Sequence, residues 1–113
     1  MEEKRQVKGI WIPINIWESE DLSMPEKIVL AEIDSFEKAQ GCFASNNFLG
    51  RFLKLTPGRI SQIISRLREL DYISIEFIYH NNSKEIEKRV IKINKRKIYE
   101  SNEEVLNLLG RGI

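Results

Sequence analysis

Hydrophobic and polar positions along this chain change period several times, and each change marks an element. Residues 9–17, "GIWIPINIW", carry isoleucine at 10, 12, 14 and 16 with other residues between. That period of two predicts an extended segment with two faces. Pro13 cannot donate a ladder hydrogen bond, so the segment is expected as an edge strand or a wrapping arm. In "DLSMPEKIVLAEIDSFEKAQG" the period becomes helical. Ser23 and Glu26 make an S-x-x-E capping box, Pro25 stands in the first turn, and Gly41 ends the run. Val29, Ile33 and Phe36 share one face while Leu30 points away from it, so this helix is expected to be covered on more than one side.

A second helix, "NNFLGRFLK", follows a Ser45 cap and turns Phe48, Leu49, Phe52 and Leu53 inward. Within three or four residues a third begins, with Thr56 as N-cap and Pro57 at the first helical position. Its stripe is Ile60, Ile63, Ile64, Leu67 and Leu70, which leaves Gly58, Arg59, Ser61, Gln62, Ser65 and Arg66 off the stripe on a side nearly free of acids. From Tyr72 the runs "YISIEFIY" and "IEKRVIKIN" are β-branched and aromatic, and "HNNSKE" between them is rich in turn formers. They predict a β-hairpin. Ser101 and Glu104 cap a short C-terminal helix that carries Val105, Leu106, Leu108 and Leu109 and stops at Gly110.

The chain has 113 residues, 42% hydrophobic and 31% charged, which fits one α+β, mainly helical domain. The expected organisation is a flexible N-terminus at 1–8, a domain with an N-terminal arm at 9–98 and a helical tail at 99–113. Net charge is only +1, but it is segregated: −5 over residues 18–40, +4 over 41–70 and +5 over 84–98. If the two basic blocks share a face, they make a footprint suited to phosphate. The single cysteine, Cys42, excludes an internal disulfide, and it reads as a small buried apolar residue in a reduced, cytoplasmic protein. Neither a signal-peptide core nor an apolar run of membrane-spanning length is present.

Nucleophile, P-loop, G-x-G-x-x-G and H-E-x-x-H patterns are absent, so no enzyme, metal or cofactor is expected. Lone His80 reads as a solvated turn residue, and Trp11 and Trp17 read as packing residues. Two helices joined by a tight turn, the second polar outside, followed by a basic hairpin, have the order of a helix-turn-helix with a wing. The stretch "ASNNFLGRFLKLTPGRISQIISRLRELDYISIEF", with the lead-in "IPINIWESEDLSMPEKIVLAEI", resembles the winged helix-turn-helix modules of phage and plasmid replication initiators and replisome organisers. The resemblance covers roughly residues 9–94. It implies a three-helix core with a β-hairpin wing, and a role in replication initiation or transcription regulation. Where such families carry glycine, this chain has Lys54 in the turn and Asp71 after the third helix. Lys54 is therefore expected either in a left-handed backbone position or in a turn of slightly different geometry. Such initiators continue into further domains, so the chain is expected to be either a fragment or a small regulator.

The residue chemistry of this arrangement suits double-stranded DNA. Thr56 and the first turn after it offer backbone N–H groups to a phosphate, and Gly58 allows close approach. Arg59 can read guanine bidentately and Gln62 adenine, Ser61 and Ser65 base or phosphate, and Arg66 base or backbone. Arg51, Lys54 and the wing residues Lys84, Lys88 and Arg89 suit phosphate or the adjacent minor groove. Asn46 and Asn47 stay open between capping and backbone contact. A homodimer through the N-terminal arm or the C-terminal helix is expected to be compatible with two half-sites. The alternative reading is a winged helix used for protein contact, such as a phage inhibitor of a host complex, with the same fold and different working surfaces.

Overall fold

Capping chemistry and periodicity produce the elements close to where they are expected. The computed structural model describes residues 9–100. The element order is α1 (Ile14–Trp17), α2 (Met24–Gln40), α3 (Asn46–Leu53), α4 (Pro57–Glu69), β1 (Ile73–Tyr79), β2 (Ile86–Ile93) and a π-helical turn (Arg96–Glu100). The architecture is α+β, with helices packed on a two-stranded antiparallel hairpin. The expected N-terminal residues 1–8 and the C-terminal helix around Ser101 and Glu104 lie outside the described residues.

α2 starts as its sequence demands: the Ser23 hydroxyl accepts the Glu26 N–H while the Ser23 N–H donates to Glu26 Oε1 at 2.8 Å. It buries Val29, Leu30, Ala31 and Ile33 on more than one side. Ser45 caps α3 by accepting the Phe48 N–H at 3.1 Å, and Thr56 caps α4 by accepting the Arg59 N–H at 3.1 Å. The stripe Ile60, Ile63, Ile64 and Leu67 is buried and joins Ile33, Leu49, Ile73 and Ile91 in one core. Cys42 is buried there too, and burial pushes its thiol above the usual range. Its carbonyl accepts the Ile91 N–H, which lays residue 42 along the outer side of β2.

The extended arm is corrected over half its length. Residues Ile14–Trp17 form a helical turn, because the Pro13 carbonyl accepts the N–H groups of Ile16 and Trp17 at 3.0 and 2.9 Å. Proline cannot donate, yet its carbonyl is a full acceptor and its φ of −55° already suits a helix entry. The isoleucine alternation is therefore not a two-faced strand: Ile16 is fully buried whereas Ile14 is exposed.

The α3–α4 connection is three residues long, and Lys54 does adopt the left-handed conformation, φ 63° and ψ 40°. Its N–H and that of Leu55 both return to the Gly50 carbonyl, the latter at 2.9 Å. A side chain at Gly50 would run into the Leu55 carbonyl oxygen, so glycine is what lets the turn fold back on α3. Asp71 after α4 is likewise left-handed, φ 69°.

Candidate nucleic-acid interface

The polar side of α4 is set by the opposite side's burial. With Ile60, Ile63, Ile64 and Leu67 docked, the exposed residues after Pro57, itself exposed, are Gly58, Arg59, Ser61, Gln62, Ser65, Arg66, Arg68 and Glu69. Gly58, Gln62, Ser65 and Glu69 follow one another at helical spacings of four, three and four, and so form the outermost line. The first two turns of that line carry no acid, and Glu69 ends it.

At the start of α4 the turn makes an open concavity of about 600 Å³ lined by Asn47, Gly50, Arg51, Lys54, Leu55, Thr56 and Pro57. It brings together three of the sequence-predicted residues, Arg51, Lys54 and Thr56. Thr56 spends its side chain on the cap, while Arg51 and Lys54 are exposed and enter no ion pair or side-chain hydrogen bond among the described residues. Arg59 and Gln62 are exposed and equally uncommitted. Gly58 has open space where a Cβ would stand.

Other predicted residues have work inside the molecule. Arg66 Nε pairs with Glu26 Oε2 at 3.0 Å, and its Nη2 donates to the Asp21 carbonyl at 3.2 Å. Thus the acidic block of residues 18–40 holds the C-terminal half of α4. Arg89 donates from Nη2 to the Ala44 carbonyl at 3.0 Å and to Asn46 Oδ1 at 2.6 Å. It is a half-buried tie between β2 and the start of α3, and burial lowers its pKa from the usual arginine value. Asn46, open in the sequence reading, is its acceptor.

On the hairpin, Lys88 lies 4.9 Å from the ring of Phe43. Lys92 pairs with Glu76 at 2.7 Å, and that carboxylate raises the lysine's pKa. Lys84, in the turn, is exposed and has no partner among the described residues. The basic blocks therefore do approach one another, since Arg89 joins β2 to α3, but only part of their charge is free. Among the described residues the uncommitted cations are Arg51, Lys54, Arg59, Lys84 and Arg68. Arg68, on the opposite flank of the core stripe from Arg59 and Arg66, is not among the residues singled out from the sequence. Asn47 lines the concavity, a placement that periodicity alone does not give.

Among the described residues there is no group of His, Cys, Asp and Glu able to hold a metal ion, and no helix long and apolar enough to cross a membrane. Comparison with protein-family models, curated proteins and solved structures finds no match to this chain.

Proposed function

We propose that the chain is a winged helix-turn-helix module that binds double-stranded DNA in a sequence-specific manner. The observation that carries this reading is the acid-free outer line at the start of α4, set beside a concavity whose cations Arg51 and Lys54 have no side-chain partner among the described residues. Uncommitted cations at a helix start suit phosphate, which positions a protein on DNA, and exposed Arg59, Ser61, Gln62 and Ser65 suit base edges, which specify sequence. Lys84 and Lys88 extend the positive charge along the hairpin. Arg66 and Arg89 act indirectly, by fixing α4 against α2 and the hairpin against α3. A setting in phage or plasmid replication initiation or transcription control follows from the family resemblance.

The test is duplex binding as a function of salt. Affinity should fall steeply with salt, and Arg51→Ala and Lys54→Ala should each reduce the log–log salt slope by about 0.9 if each contacts one phosphate. Gln62→Ala and Arg59→Ala should cost about 1–3 kcal/mol on a selected sequence and far less on random duplex. Undetectable duplex binding at low salt would sink this reading. It would favour protein contact through the N-terminal arm, where Trp11 is 81% exposed and Ile10, Ile14 and Trp17 are also exposed.

A further inference from the structure

The outer edge of β1 offers backbone groups that no described element takes up. The Asn94 N–H donates to the Tyr72 carbonyl and the His80 N–H to the Glu85 carbonyl, both at 2.9 Å. Antiparallel pairing alternates, so Tyr72, Ser74, Glu76, Ile78 and His80 direct their N–H and C=O groups at β2. Ile73, Ile75, Phe77 and Tyr79 direct theirs outward. The same parity explains why Ile91, opposite Ile75, donates away from β1 to Cys42.

This edge lacks the devices that keep strands apart. β1 contains no proline, lysine or arginine, and Glu76 is its single charge. The bulge falls on β2, because Ile78 opposes Lys88 and Tyr79 opposes Ile86, so β1 stays regular. Phe77, Ile78 and Tyr79 are 42%, 39% and 51% exposed, and they alternate between the two faces of the sheet. No single element laid on one face would cover them, whereas a strand added at the edge would meet all three.

We propose that residues 76–80, the C-terminal end of β1 with His80 after it, pair antiparallel with the same residues of a second copy of this chain about a twofold axis at Ile78. Side-chain complementarity selects the occupant and the register. At this axis Phe77 of one copy opposes Tyr79 of the other, twice, in pairs that use the outward N–H and C=O groups. Ile78 opposes Ile78 in a non-hydrogen-bonded pair, where side chains stand closest. Glu76 of one copy opposes His80 of the other, so a carboxylate meets an imidazole twice. In their own hairpins Glu76 faces Lys92 at 2.7 Å and His80 Nδ1 lies 3.8 Å from Glu87. An axis at Glu76 would instead set two carboxylates face to face, and one at Phe77 would set Glu76 against Ile78. Because twofold pairing uses the same edge on both copies, the assembly closes as a dimer.

This inference goes beyond DNA binding and stands or falls separately from it. Sedimentation equilibrium on the full chain should show the apparent mass rising twofold with concentration. Ile78→Lys, an exposed substitution that places two ammonium groups on the axis, should stay monomeric with an unchanged circular dichroism spectrum. Ile78→Cys should oxidise to a covalent dimer, since a non-hydrogen-bonded pair has Cα atoms about 4.5 Å apart, within disulfide reach. Ser74→Cys, exposed on the same face but off the axis, should not. A monomer at every concentration, an Ile78→Lys protein that still dimerises, or Ser74→Cys crosslinking as fast as Ile78→Cys would each overturn the proposal.

Discussion

Replacing Gly50 by alanine tests the geometry on which the α3–α4 turn depends. In an unobstructed helix interior, glycine to alanine stabilises by about 1 kcal/mol. At Gly50 the added Cβ would stand closer than 3.0 Å to the Leu55 carbonyl oxygen, with that carbonyl's carbon and the Pro57 nitrogen each 3.5 Å away. These are backbone atoms, so relief requires the turn to lift off α3. Lifting it stretches the bond from the Leu55 N–H to the Gly50 carbonyl, worth about 1 kcal/mol net, and overpacking adds about 1–3 kcal/mol. After subtracting the helix preference of alanine, Gly50→Ala should destabilise by about 1–3 kcal/mol. Gly58 is the control. It lies in the first turn of α4 with nothing within 4 Å of its added Cβ, so Gly58→Ala should be neutral or stabilise by up to about 1 kcal/mol. Urea unfolding followed by far-ultraviolet circular dichroism reads both. If Gly50→Ala unfolds at or above the parent's midpoint, the close approach of turn and helix is wrong.

Lys54→Gly should raise stability by about 0.5–1 kcal/mol, because the left-handed backbone costs a lysine more than the extra unfolded-state freedom of glycine takes back. The same variant should weaken duplex binding, so stability and affinity move in opposite directions when measured side by side. Arg89→Ala should cost about 1.5–3 kcal/mol in a urea titration, since it leaves the Ala44 carbonyl and Asn46 without their charged donor. Burial, followed by the 2.5 Å hydrogen bond to Asp21, raises the Tyr72 phenol above its usual value of 10.0. The unfolded chain therefore loses this proton first, and the associated stability is present below pH 10 and declines as pH rises through the folded-state value. Tyr72→Phe should flatten that alkaline decline, which denaturation midpoints measured on either side of pH 10 will detect.

Much of the fold was legible because its signals are local. Ser23 with Glu26, Ser45 with Phe48, and Thr56 with Arg59 each sit three residues apart, so caps and helix starts follow from short-range geometry. The left-handed Lys54 was legible only through the family resemblance, which places a glycine at that turn position, and of the two outcomes left open there the left-handed one is found. Residues 14–17 misled because alternation describes side-chain spacing only. The Pro13 carbonyl, whose acceptor role has no signature in hydrophobic pattern, decided for a helical turn.

By itself, the sequence determined the element order, the caps, the core stripe of α4 and the segregation of charge, all of which depend on neighbours a few residues apart. Only the tertiary structure decided which cations are free. Arg59 and Arg66 look alike on a helical projection, yet Arg66 reaches Glu26 and the Asp21 carbonyl while Arg59 has no side-chain partner among the described residues. Lys88 and Arg89 are adjacent in the chain, yet one lies over Phe43 and the other is tied to Ala44 and Asn46. The physical reason is range: a cation's availability is set by partners some 40 residues away, and only packing brings them within hydrogen-bond distance.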